Sequence, residues 1–277
     1  MRRLTGGARH IRVGLVLFGT VIFGHAARAR ADGPAQPADA DDTATGAQHA
    51  PLDGAATAGA FLPFTQTAAL DRQRAYASSV GGYDSARGTG SFEANAEVRL
   101  WGPIAVRGGA VYTVSGRQLR PSFGARVQVL HEGQHGVDGA FGVFYRPEGL
   151  TEPEGEIESA VSIGRHVGET YLLGNLLYGQ DPEGNERDGE LRLAALRPIR
   201  SRFLGGIDGR MRFDLGSQAA RLAAHNEATL DAVLGPSLTA LVGPVALSMH
   251  AGGSALRLQQ QSTAFGAFVM FGLGTAL

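Results

Sequence analysis

The stretch Phe92-Glu93-Ala94-Asn95-Ala96-Glu97-Val98-Arg99-Leu100 alternates an apolar or small side chain with an ionic or amide one at every step. Successive side chains of a β-strand point to opposite faces. This segment therefore has one face of Phe92, Ala94, Ala96, Val98 and Leu100 and another of Glu93, Asn95, Glu97 and Arg99. A helix would instead gather its apolar residues at every third and fourth position. The period of two recurs elsewhere. Phe203, Ile207, Met211 and Phe213 oppose Asp208, Arg210 and Arg212. Phe123, Ala125, Val127 and Val129 oppose Gly124, Arg126, Gln128 and Leu130, and Ile157, Val161 and Ile163 oppose Glu156, Glu158, Ala160 and Ser162.

Working outward from these runs, about twelve strands are expected, at 74–83, 91–101, 104–114, 122–131, 139–146, 156–166, 169–179, 190–197, 202–213, 227–241, 245–253 and 262–277. Most approach the nine to eleven residues that a tilted membrane strand needs. The best exception is helical spacing over 217–234, which reads as a loop helix. Short turns at 102–103, 167–168, 198–201 and 242–244 alternate with longer polar loops at 84–90, 115–121, 147–155, 180–189, 214–226 and 254–261; the connection at 132–138 is longer than this pattern expects. Short turns on one side and long loops on the other mark outer-membrane barrels. Strands running towards the long loops end in Tyr83, Tyr112, Tyr145, Tyr178 and Phe213, and Trp101 lies beside a short turn. Amphipathic rings are stable at a membrane interface, so these six are expected to form aromatic belts.

The last run, Thr263 to Leu277, carries Phe265, Ala267, Val269, Phe271, Leu273 and Leu277 on one face, with Thr275 interrupting it. Here the chain resembles bacterial outer-membrane β-barrel proteins, in a porin-like pattern that covers roughly Arg74 to Leu277. The resemblance implies a closing strand read by the barrel-assembly machinery. The usual terminal aromatic is Leu277 here.

The N-terminal residues agree with that address. Arg2, Arg3, Arg9 and Arg12 precede the apolar run from Val13 to Phe23, and Ala29-Arg30-Ala31 offers a small-x-small cleavage site. This is the order of a secretory signal over residues 1–31. The apolar run is too short to cross a bilayer as a helix. Residues 32–73 begin with Ala, Asp, Gly, Pro and Thr and little to bury, and are expected to form a disordered leader; a small plug is the other use of such a segment. The expected organisation is thus a signal peptide, a leader, and an all-β antiparallel transmembrane barrel over 74–277.

The chain has no cysteine, which excludes a lipoprotein anchor, disulfides and thiolate metal sites. Six of its 25 basic residues and none of its 26 acidic ones precede Asp32, so the chain from Asp32 onward would carry a net charge of about −7. Nucleic acid is not an expected partner, because phosphate binding needs a basic patch.

If the apolar faces meet lipid, the ionic faces line the lumen. That set comprises Glu93, Glu97, Arg99, Arg107, Arg126, Glu156, Glu158, Glu190, Arg192, Asp208, Arg210 and Arg212, with Asn95, Gln128, Asn175 and Asp231 beside them. Facing pairs that bridge would fill the barrel, whereas rows of opposite sign on opposite walls would flank a narrow aqueous path. Eight strands are filled by side chains and sixteen or more leave a channel, so twelve does not decide.

Three chemistries compete with a pore. His131-Glu132-Gly133-Gln134-His135 fits H-E-x-x-H, the zinc metalloprotease motif, which needs both histidines on one helical face. Strand-like residues precede it and Gly133, Gly136 and Gly139 oppose a helix, so a polar turn is the expected reading. Ser248, His250 and Ser254 invite comparison with an outer-membrane phospholipase, but Ser248 and His250 merely share a strand face. The acidic loops at 148–156 and 181–190 suit hard cations, yet match no calcium-loop spacing. No cofactor pattern stands out. The sequence thus points to a passive outer-membrane pore or structural barrel. A barrel hydrolase acting on lipid or peptide is one alternative, and a soluble secreted β-sandwich that binds a partner is another.

Overall fold

The computed structural model describes residues 62–70, 74–147, 155–182, 187–216, 228–259 and 261–276. The chain divides into two units, Met1–Ala44 and Thr45–Leu277, and every described residue belongs to the second. The expected signal sequence, most of the leader, Leu277 and much of the two acidic loops lie outside the described residues.

Among the described residues twelve strands are present: β1 (Ala75–Asp84), β2 (Thr89–Trp101), β3 (Ile104–Thr113), β4 (Gln118–Leu130), β5 (Asp138–Pro147), β6 (Gly155–Val167), β7 (Thr170–Gln180), β8 (Arg187–Arg200), β9 (Phe203–Asp214), β10 (Ala228–Val242), β11 (Val245–Leu258) and β12 (Ala264–Ala276). Each pairs antiparallel with the next, and β12 pairs with β1 from Tyr76↔Ala276 to Asp84↔Phe268, so the sheet closes on itself. A sandwich needs two stacked sheets; the single closed sheet excludes that alternative.

Several strands run further than the sequence suggests. β4 begins at Gln118 and pairs with Thr113, and β11 continues to Leu258 opposite Ala228. The polar residues there belong to the ladder because pairing uses the backbone, whatever the side chain. Two of the long loops shrink accordingly, to 114–117 and 259–263. The helix expected over 217–234 is overturned for 228–234: Leu230, Asp231, Ala232, Val233 and Leu234 pair with both β9 and β11. On the opposite end, Gly102, Gly168 and Gly243 hold positive φ in the short turns, a conformation that tight hairpins require. The long connection between β4 and β5 contains one helical turn, α1 (Glu132–His135), stopped by Gly136 at φ 74°.

Alternation sorts the side chains. Phe92, Val98, Leu100, Ile163, Leu172, Leu193, Ile207, Leu234, Leu247, Phe271 and Leu273 point outward and are exposed. Glu97, Arg126, Glu158, Asn175, Glu190, Asp208 and Asp231 point inward and are buried. Apolar outside with polar inside inverts a soluble protein, and it suits a barrel wall that meets lipid.

Candidate functional site

The lumen is built from every second residue of the strands. Glu93, Glu97 and Arg99 come from β2, Arg107 from β3, Arg126 from β4, Glu156 and Glu158 from β6, Glu190 and Arg192 from β8, and Asp208, Arg210 and Arg212 from β9. Alternation within each strand puts these twelve side chains on the face of the closed sheet opposite the exposed apolar residues. Arg212 sits at the long-loop mouth, with 46% of its side chain exposed, and pairs with Asp188. Of the expected belt aromatics, Tyr83, Tyr112, Tyr145, Tyr178 and Phe213 stand outward near the long-loop ends, and Trp101 projects at the short-turn end, 66% exposed. Phe123 and Tyr145 meet edge to face at 5.6 Å across the β4–β5 pair.

Many of the inward charges are paired. Arg126 Nη1 lies 3.1 Å and 3.3 Å from the two Glu97 carboxylate oxygens, both side chains almost wholly buried. Arg146 reaches Glu158 at 2.9 Å, and Arg107 lies 3.9 Å from Glu93. A longer chain of ions runs from Arg87 to Asp231, from Asp231 to Arg210 at 2.9 Å, from Arg210 to Glu190 at 3.9 Å, and from Glu190 to Arg192 at 2.6 Å. Arg87 stands in the β1–β2 connection and bends into the mouth. Burial, and then the neighbouring Arg210 charge, lower its guanidinium to about 10, which leaves it cationic at neutral pH. Sequence reading missed Arg87, Arg146 and Asp188. Arg146 was the most accessible of these, because it continues the inward series Ala140, Gly142, Phe144.

The charge is not spread around the wall. On β10, β11, β12 and β1 the inward residues are mainly glycine, serine, threonine and apolar side chains; their carboxylates and imidazole are Asp84, Asp231 and His250. Beside this wall, Asp208 Oδ1, Ser237 Oγ, Thr239 Oγ1 and both ring nitrogens of His250 are buried without a hydrogen-bond partner among the described residues. His250 Nδ1 is 3.9 Å from Asp208 Oδ2. These three residue types form no relay, since nucleophile, base and carboxylate must be joined by hydrogen bonds.

The lumen also holds a piece of the chain itself. Residues 62–70 (Leu-Pro-Phe-Thr-Gln-Thr-Ala-Ala-Leu) lie inside the barrel, all buried except the half-buried Pro63. Leu62 and Ala68 belong to one apolar cluster with Tyr171, Leu173, Ala194, Leu196 and Leu204. Phe64 packs with Val233 and Phe268, and Leu70 with Ala105 and Ala140. The segment thus touches β3, β5, β7, β8, β9, β10 and β12 and crosses the bore. A gap between it and Tyr76, Ser78, Val80, Glu93 and Asn95 measures about 20 Å³, room for one water. Its sequence carries little signal: Leu62, Phe64 and Leu70 follow no sustained strand or helix period.

The histidine motif is used differently. Glu132 accepts the His166 backbone N–H at 2.5 Å through Oε1 and meets His166 Nδ1 at 2.7 Å through Oε2, tying α1 to β6. Among the described residues no three histidine, aspartate or glutamate side chains are grouped to hold a metal.

No family model matches the chain, and no curated protein does. Solved structures do resemble it. The NanC porin superposes with a TM-score of 0.52 at 10% identity, covering 73% of this chain and all of the porin. The fold is shared with a porin. The KdgM porin (TM-score 0.47, 7% identity, 73% of this chain and 99% of that one) and an outer membrane channel from Pseudomonas putida F1 (0.47, 10%, 74% and 96%) are looser matches.

Proposed function

We propose that this protein is a passive pore of the bacterial outer membrane, with a narrow bore lined on one side by ion pairs. The observation that carries the reading is the inverted wall: a closed barrel with exposed Leu, Ile, Val and Phe outside and paired arginines and carboxylates inside. An aqueous path needs polar lining, and lipid needs the apolar belt. The porin fold agrees with this reading. The outer belt of Tyr83, Tyr112, Tyr145, Tyr178 and Phe213 would sit at one interface, and Trp101 at the other. Outer-membrane lipid is then the principal partner, with the assembly machinery engaging β12.

A hydrolase is less favoured. Glu132 is engaged by His166, and His250 lacks the hydrogen bond to a carboxylate that would orient it as a base. The test is conductance in planar bilayers. Protein lacking residues 62–70 should give stepwise current increments that detergent alone does not. Silence from that form, shown to be folded by heat-modifiable gel migration, would overturn the pore reading.

A further inference from the structure

We infer that the inner wall carries a binding site for an uncharged peptide, and that residues 62–70 of the same chain are its resident occupant. The contacts are those of main-chain recognition. Asn175 Oδ1 accepts the Gln66 N–H at 2.7 Å, while Asn175 Nδ2 donates to the Gln66 carbonyl at 2.7 Å. One carboxamide thus satisfies both backbone groups of one residue, as a neighbouring β-strand would. Asp208 Oδ2 accepts the Phe64 N–H at 3.3 Å, and Arg126 donates to the Thr67 carbonyl. These wall residues are almost wholly buried. A polar side chain buried in a barrel costs free energy unless it is paired, and here Asn175 finds both of its pairings in a peptide backbone.

Side-chain pockets supply the rest. Phe64 lies 5.7 Å from the Phe268 ring at 74° and 5.7 Å from the Arg210 guanidinium. Leu62 and Leu70 fill separate apolar clusters on different sides of the bore. Main-chain hydrogen bonds give affinity whatever the sequence, and pockets select it. The occupant carries no charge, although the wall beside it is ionic; the pairs Arg126–Glu97, Arg192–Glu190 and Arg210–Asp231 neutralise one another there. While the segment is bound, the bore is crossed and the pore is shut. Release of the segment would open it, so the site doubles as a gate.

Peptide binding tests the site without relying on conduction. A variant lacking residues 62–70 should fold and bind a labelled LPFTQTAAL peptide in detergent micelles, measured by fluorescence anisotropy. The full chain, whose site is filled, should bind it at least tenfold more weakly. Adding Asn175→Ala to the deletion should weaken binding by about thirtyfold, the effect of losing two hydrogen bonds of ordinary strength. A peptide N-methylated at Phe64 and Gln66 should lose affinity by a similar factor. A folded deletion barrel that ignores the peptide, or that binds it no better than the full chain does, would overturn the proposal.

Should the deletion not fold, a second measurement uses the full chain, which has no native cysteine. A Gln66→Cys thiol should resist a hydrophilic maleimide, and Asn175→Ala should expose it. Rapid labelling without Asn175→Ala would equally overturn the site. If peptide binds but no form conducts, the pore reading fails and the peptide site stands.

Discussion

Arg126 and Glu97 face each other across the inner wall with side chains 1% and 4% exposed, and Arg126 also donates to Thr67. Removing one partner of such a pair leaves the other charge buried and uncompensated, which costs about 3–5 kcal/mol. Arg126→Met should therefore lower stability by about that amount in urea unfolding from lipid vesicles. Arg126→Met with Glu97→Gln should recover much of the loss, because no bare charge remains; a double variant as weak as the single one would show that Arg126 acts mainly through the Thr67 carbonyl. Thr239 presents the converse case. Its hydroxyl is buried at 1% exposure without a partner among the described residues. An unpaired buried hydroxyl is costly, and its apolar isostere is not. Thr239→Val should raise stability by about 1 kcal/mol. A loss instead would mean that the hydroxyl is hydrated from the lumen.

At the scale of elements, β10 and β11 meet backbone to backbone at Gly235. A Cβ on Gly235 would collide with the Ala251 carbonyl and would stand 2.7 Å from Gly252 Cα. Overpacking of this kind forces backbone shifts worth about 1–3 kcal/mol. Gly235→Ala should lower the temperature at which the heat-modifiable form converts on a gel, whereas Gly253→Ala, where a Cβ meets nothing within 4 Å, should not. The strands themselves were legible because a barrel repeats one rule along every strand. Phe92 to Leu100 declared both faces of β2, and the same reading placed Asp208 and Arg210 inward on β9. The ends were less legible, since Gln118 and Arg257 stay in the ladder through their backbones despite polar side chains. The internal segment was not legible at all: Leu62, Phe64 and Leu70 have no period that distinguishes a strip inside a bore from a solvated leader. Its binding residues were half-visible. Asn175, Asp208 and Arg126 were placed in the lumen by alternation, but nothing in their spacing says that they recognise a backbone.

The molecule as a whole is a wall with two solvents, and that is what a charge on its outer face measures. Leu234 lies near the middle of the fifteen residues of β10 and is 61% exposed; Val242 ends the same strand and is 55% exposed. In water two such positions would respond alike to arginine, each by a few tenths of a kcal/mol, as exposed sites usually do. In a bilayer they differ. Arginine at the midplane of a barrel's lipid face costs about 2–4 kcal/mol, and near the interface about 0–1 kcal/mol. Leu234→Arg should thus be far more destabilising than Val242→Arg when both are unfolded by urea from lipid vesicles. The difference arises because the guanidinium at 234 must either stay in hydrocarbon or draw water towards it, while at 242 it reaches the headgroups. Equal effects would mean that the apolar belt is not a lipid-facing surface, and the pore reading would lose its physical ground.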